Sequence, residues 1–257
     1  MAREVDTVLG KVMTILEAFS ATETQVSLAE LARRTELPKT TVHRVAGDMT
    51  RHRLLERTPG GYRLSGGLFE LGMRAGAERG LLELAMPFLQ DLYERSHEVV
   101  HLGVLDGQEV VYVAKIGGHR QARSPSRTGG RMPLHCTAIG KALLAYGDAE
   151  LRRSVLESPL SRWTPRTVVA PGLLAGQLAA VVETGVAFER EESTTGLLCV
   201  ASAVLDLDGR GAVAAISVTG PVGRFKPEAH VSSVKAAASG LGSVLARRAG
   251  EAVRGRP

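Results

Sequence analysis

The chain has 257 residues, 44% hydrophobic and 23% charged, with a net charge of +5. That length suits one large domain or two ordinary ones, and the composition excludes a disordered chain. Two cysteines are too few for a disulfide scaffold, and no apolar run reaches the roughly 18 residues of a membrane span. The start, MAREVDTVLG, carries Glu4 and Asp6 and does not read as a signal peptide, so a cytoplasmic protein with no membrane partner is expected.

Val8, Val12, Ile15, Leu16 and Phe19 fall at helical spacing and predict an amphipathic first helix. VSLAELARR follows. Ser27 and Glu30 form an S-x-x-E capping box, with Val26 and Leu31 at the staple positions, so both orphan backbone donors at a helix start are expected to be satisfied. TELP ends that helix near Thr35, and Pro38 suits the first turn of the next. In PKTTVHRVAGDM, Val42, Val45, Ala46 and Met49 make a buried stripe, leaving Lys39, Thr40, Thr41, His43 and Arg44 near the start, mostly facing out.

Two short helices joined by a tight turn, with a polar and basic start to the second, describe a helix-turn-helix. The major groove admits one helix, in which Arg44 can reach guanine edges while Thr and Lys contact phosphates and bases. LLERTPGGYRL then predicts a β-hairpin wing around Pro-Gly-Gly. From Leu31 to Arg63 there are eight bases against three acids. A second basic run, Lys115 to Arg131, includes Arg120, Arg123 and Arg127 and has no acid; it reads as solvated surface. Gly47 inside a helix costs about 1 kcal/mol against alanine, and either admits a close backbone or is simply tolerated.

LSGGLFELGMRAGAERG predicts a connecting helix with the boundary near Gly76–Gly80, and LLELAMPFLQDLYERSH a further helix that Pro87 kinks or restarts. VVHLGVLDGQEVVYVAKI is a hairpin around Asp106-Gly107. GVAFERE, GLLCVASAVLD and GAVAAISVTG are three more strands, and EAHVSSVKAAASGLGSVLARRAG is a closing helix. Antiparallel strands with helices at the ends define an α+β body.

RMPLHCTAIGKALLA sets His135 beside Cys136. Nucleophilic catalysis needs a thiolate held by a base, but neighbours on an extended segment point to opposite faces. His101, His135, Cys136 and Cys199 lack a recognisable metal-ligand spacing. No catalytic residue, metal or cofactor is therefore expected. The remaining reading is a pocket wall, in which a helix start with free N–H groups accepts an anion. Ser217 and Thr219 share one face of their strand by the two-residue period.

The chain resembles the IclR family of bacterial transcriptional regulators. The matching stretches are SLAELARRTELPKTTVHRV, LLERTPGGYRL, EVVHLGVLDGQEVVYVAKI, RMPLHCTAIGKALLA, RWTPRTVVAP, EREESTTGLLCVASAVLD and AAISVTGP, in the family's order from about Val5 to about Arg247. The resemblance implies an N-terminal winged helix-turn-helix domain over 1–66, a linker helix over 67–80, and a GAF-like effector-binding and oligomerisation domain over 81–257. It also implies dimers or tetramers on palindromic double-stranded operators. The DNA-binding set is then Ser27, Lys39, Thr40, Thr41, His43, Arg44, Arg57 and Arg63. The effector-binding set is Met132, Ala138, Ile139, Glu189, Cys199, Ser217 and Thr219. Glu189 stands where many relatives carry aspartate, and Ile139 is bulkier than the alanine of some small-acid binders. Both departures leave room for a larger or more apolar ligand, aromatic included, rather than a glyoxylate-like one. Two rival readings are a thiol- or metal-dependent enzyme fused to a DNA-binding head, and a nonspecific DNA-packaging protein.

Overall fold

The computed structural model describes residues 6–20, 23–74, 76–117 and 124–254. Residues 1–5, Ala75 of the expected linker, and Arg120 and Arg123 of the second basic run lie outside these ranges. The chain divides into two compact units, Met1–Arg79 and Gly80–Pro257.

The first unit holds α1 (Val8–Glu17), α2 (Leu28–Thr35), α3 (Lys39–Arg51), the hairpin β1 (Leu55–Thr58) and β2 (Gly61–Leu64), and α4 (Gly66–Gly72). Ser27 caps α2, its hydroxyl accepting from Glu30 N at 3.2 Å. Only half of the expected box forms, because the Glu30 carboxylate turns to Arg33 and Arg34 at 2.6–2.8 Å. Two guanidiniums within one helical turn outcompete a neutral backbone donor. Pro38 sits at the cap position of α3, just before the helix rather than within its first turn. Val42, Val45, Ala46 and Met49 are the buried residues of α3, and they pack with Ile15, Val26, Leu31, Leu55 and Tyr62. Each large apolar side chain buried this way contributes about 1.5–3 kcal/mol.

The wing is tied to the helices through Val26, which exchanges two backbone hydrogen bonds with Tyr62 at 2.8 and 2.9 Å. Gly61 makes this approach possible: its φ is +144°, and a Cβ there would lie 2.2 Å from the Val26 carbonyl oxygen. An added Cβ at Gly47 would meet nothing within 4 Å among the described residues, so none of them explains that glycine by close approach.

The expected linker helix is instead two helices. α4 ends at Gly72, and α5 (Gly76–Ser96) runs on past the boundary of the two units. α5 also continues through Pro87 rather than restarting there. Its residues Ala85, Leu89 and Leu92 are buried in the body core, and that packing offsets the local cost of proline.

The second unit is α+β. Its six strands are β3 (Val99–Asp106), β4 (Glu109–Ile116), β5 (Arg131–Pro133), β6 (Ala187–Arg190), β7 (Leu197–Leu205) and β8 (Ala212–Pro221), ordered β5-β4-β3-β8-β7-β6 with every neighbouring pair antiparallel. β5 is a three-residue edge strand beyond the five that hydrophobic alternation shows. The β3–β4 turn is Gly107-Gln108, since Asp106 pairs with Glu109. One face of the sheet (Val100, Leu102, Val200, Ile216, Val218) packs on α5 and on α9 (Val231–Arg254). The other face carries small residues (Ala187, Ala201, Ala203, Ala215, Gly103) and receives α6 (Ala138–Ala145), backed by α7 (Ala149–Glu157) and α8 (Pro171–Thr184). A Cβ on Gly103 would lie 2.8 Å from Ile139 Cγ2, so the glycine is what lets α6 sit against the sheet.

Candidate DNA-binding face and effector pocket

On α3, Thr40, His43, Arg44 and Gly47 follow helical spacing opposite the buried stripe; Lys39, Thr40, His43 and Arg44 are exposed, and Thr41 is half-buried. Arg44 lies 3.7 Å from Asp48 with its side chain 66% exposed, a loose pair of the kind worth little in water. A phosphate or base can therefore replace Asp48 at small cost. Other bases are already paired: Arg33 and Arg34 with Glu30, Arg51 with Asp48, Arg53 with Glu70 and Arg63 with Glu56. Lys39 and Arg57 carry no ion pair among the described residues. Glu56 pairs in register with Arg63, and Arg57 with Tyr62, so Arg57 and Arg63 lie on opposite faces of the wing.

The seven expected effector residues come together. Met132, Ala138, Ile139, Glu189, Cys199, Ser217 and Thr219 line one cavity in the body. Sequence reading missed the other half of its wall: His101, Tyr112, Ser124, Pro125, Ser126, Ser193 and Leu197. Cross-strand register explains the convergence. Glu189, Cys199 and Thr219 are direct neighbours across β6, β7 and β8, and one row along, Ser217, His101 and Lys115 are neighbours across β8, β3 and β4. The register shift between Leu102 and Gly103 opposes Gly103 to Tyr112 and brings that ring to the pocket face, where it lies 5.0 Å from His101.

The enclosed volume is about 20 Å³, room for one water or two. A larger and more open groove of about 370 Å³ lies elsewhere in the body, between the end of β7 and α9. The small cavity is the more enclosed of the two, and a walled site strips water from a ligand and strengthens its polar contacts.

The cavity is polar at both ends. At one, Glu189 Oε1 accepts from Ser193 N at 3.0 Å and from Ser193 Oγ at 2.7 Å. Burial raises this carboxyl from 4.5 to about 7, helped by the charge of Glu192. Cys199 Sγ lies 2.9 Å from Thr219 Oγ1, and burial lifts its thiol to about 12. At the other end, His101 Nε2 bonds Ser126 Oγ at 2.7 Å and its Nδ1 faces Ser217 Oγ at 3.4 Å. Burial, with the nearby Lys115 charge, lowers this imidazole to about 3, so it is neutral. Lys115 is not solvated surface: its ammonium donates to the carbonyls of Ser126 at 2.6 Å and Ser124 at 3.3 Å, directly behind that wall.

His135 and Cys136 do not act on each other. The His135 ring donates from Nε2 to the Ser161 carbonyl at 2.9 Å, and burial raises the Cys136 thiol to about 12, far from a thiolate. Thr137 caps α6, accepting from Gly140 N at 3.0 Å. Three residues after Ala138, Lys141 is fully buried; its ammonium holds Glu192 Oε1 at 2.6 Å and the Phe188 carbonyl at 3.1 Å. Thr164 and Thr167 hold the carbonyls of Glu191 and Glu192 at 2.7 Å from outside. The segment bearing Glu189 and Ser193 is thus pinned from two sides, a support that no local sequence signal announces.

A helix-turn-helix head joined to a body with an enclosed polar pocket defines a one-chain transcriptional regulator, in which sensing and DNA binding share a polypeptide. Comparison with known proteins gives the family. The IclR helix-turn-helix domain matches residues 8–59, and the bacterial transcriptional regulator IclR C-terminal domain matches residues 73–242. The chain belongs to the IclR family. It is 32% identical over 243 residues to the HTH-type transcriptional regulator XynR of Escherichia coli strain K12, covering 93% of this chain and 96% of that protein. It is 36% identical over 221 residues to the regulator KdgR of the same strain, covering 85% and 83%. An IclR homologue from Microbacterium hydrocarbonoxydans, solved in complex with 4-hydroxybenzoate, superposes with a TM-score of 0.86 at 29% identity over 92% of this chain and 98% of that one. The Thermotoga maritima IclR structure gives 0.76 at 26% identity, over 93% and 98%. The matched relatives are regulators, and the enzyme reading falls with them. Among the described residues no helix is long and apolar enough to cross a membrane.

Proposed function

We propose that the protein is a cytoplasmic, dimeric or tetrameric regulator that binds a palindromic operator and is controlled by a small-molecule effector from a catabolic pathway. The observation carrying this reading is the cavity on which residues from β3, β4, β6, β7, β8 and α6 converge, polar at both ends. Lys39, Thr40, Thr41, His43 and Arg44 enter the major groove, Ser27 meets a phosphate at the start of α2, and Arg57 and Arg63 flank the wing. Exposed apolar side chains, Val8 and Leu9 on α1 and Phe69 and Leu71 on α4, supply a surface for a second copy. The homologue's 4-hydroxybenzoate supports a small aromatic acid as effector.

Selection of genomic fragments by the purified protein at near-physiological salt tests the reading. Enrichment of a few intergenic palindromes is expected; uniform recovery with a steep salt dependence would return the protein to the packaging reading. Arg44→Ala then costs about 1–3 kcal/mol of discrimination at one base pair. Equal loss on operator and random DNA would make Arg44 a phosphate contact instead.

A further inference from the structure

Half of the cavity wall falls outside the residues that the family resemblance supplied, and that half has a definite polarity. Ser124, Ser126, Ser217 and His101 form a connected cluster: Ser124 Oγ lies 2.6 Å from Ser126 Oγ, Ser126 Oγ 2.7 Å from His101 Nε2, and Ser217 Oγ 3.4 Å from His101 Nδ1. Hydroxyl protons in such a chain rotate to suit the charge they face. The 3.4 Å contact is weak enough for Ser217 to turn its proton elsewhere. Behind the cluster, the Lys115 ammonium spends two of its three protons on the Ser124 and Ser126 carbonyls. It thereby occupies those carbonyl oxygens, and its charge reaches His101, whose protonation it opposes, so this end carries a positive field. At the opposite end, both donors to Glu189 fall on Oε1, which leaves Oε2 to accept from a ligand once the carboxyl has ionised, above about pH 7.

We propose that Ser124, Ser126, Ser217 and His101, backed by Lys115, form a carboxylate subsite, and that Glu189 receives a hydrogen-bond donor at the other end. The ligand is then an elongated acid with a hydroxyl or amino group opposite its carboxylate. Glu189 on β6 and His101 on β3 are three strands apart, roughly 14 Å between backbones. Side chains reaching in from both ends shorten that to the length of a small ring or a short carbon chain. Lys115 is a positioning residue here, since it touches the wall and not the cavity. The assignment rests on the cavity being the effector site.

The test uses the full chain and two compound series: benzoate, 4-hydroxybenzoate and 4-hydroxybenzamide; and pentanoate, 5-hydroxypentanoate and 5-hydroxypentanamide. Calorimetric titration gives each Kd. The hydroxy acid of at least one series is expected to bind roughly tenfold more tightly than both its unhydroxylated acid and its amide. Lys115→Met abolishes the acid-over-amide preference and keeps the hydroxyl preference, Lys115→Arg restores the former, and Glu189→Gln reduces only the hydroxyl preference. Circular dichroism of each unliganded variant identifies any that fails to fold, and the compound series on the native chain decides the ligand class without them. Equal binding of acid and amide, an acid preference that survives in folded Lys115→Met, or no binding by any of the six compounds would overturn the assignment. An acid preference that survives would place the carboxylate on the α6 start instead. None of these results touches operator selection, which is measured separately.

Discussion

Two buried groups in the cavity make opposite demands on pH. Glu189 keeps its proton in the folded protein up to about pH 7, against 4.5 in the unfolded chain. Between those values the folded state binds the extra proton, so this residue removes stability as pH rises. His101 refuses a proton down to about pH 3, against 6.5 unfolded, so it removes stability as pH falls through that window. Where the windows overlap, each slope is about 1.4 kcal/mol per pH unit and the two cancel. Glu189→Gln should unmask the histidine: between pH 4.5 and 6.5 the variant gains about 2–3 kcal/mol relative to wild type, read by urea unfolding at several pH values. A pH-independent difference would mean that Glu189 titrates normally. Lys141→Met strips the buried Glu192 of its counter-ion and should cost about 3–5 kcal/mol, while Lys141→Met with Glu192→Leu recovers most of it. Neither residue declares itself in the sequence. Lys141 stands in a helix as an ordinary cation, and its burial follows from β6 and α6 meeting, a long-range fact. His101 and Tyr112 were hidden for a related reason: the shift at Leu102/Gly103 breaks the two-residue period that would have shown which residues face together.

The elements of the head, by contrast, were almost wholly legible, because their signals are local. A serine cap, a proline before α3 and Pro-Gly-Gly in the wing each act within a few residues. The buried stripe of α3 comes from spacing alone. The connecting segment reads as one helix from its apolar spacing, whereas α4 stops at Gly72 and α5 starts at Gly76, because glycine is among the weakest helix formers and spacing alone does not register that cost. Two substitutions separate folding from DNA contact on these elements. Gly47 has open space about its Cα and sits with His43 and Arg44, so Gly47→Ala should raise head stability by about 1 kcal/mol. If that stabilised variant also loses operator affinity, the open space is where the DNA backbone lies; unchanged affinity would leave Gly47 merely tolerated. Ser27→Asp keeps the cap of α2, since aspartate caps as well as serine. It should therefore preserve the unfolding midpoint while weakening DNA binding by charge repulsion. Retained binding would confine Ser27 to its role as a cap.

At the scale of the whole molecule, a pocket in one unit and a recognition helix in the other influence each other only through a difference in free energy. An effector that binds the DNA-competent and the incompetent arrangements equally changes nothing, however tightly it binds. The cavity has room for a water or two as it stands, so a ligand larger than that must widen it, and the wall has few places to give. Lys141, Thr164 and Thr167 pin the Glu189 side, and α6 is buried along its whole length. Widening therefore loads these contacts, and regulation requires that the load differ between the two arrangements. Such coupling is reciprocal: if the effector changes operator affinity by some factor, operator must change effector affinity by the same factor, typically 5–150-fold. Both legs are measurable, one by titrating labelled operator with and without saturating effector, the other by titrating effector with and without operator. Equal factors are expected for a two-state regulator. Unequal factors would show that a third species, such as a change between dimer and tetramer, takes part, and repeating the operator titration at several protein concentrations would then identify it.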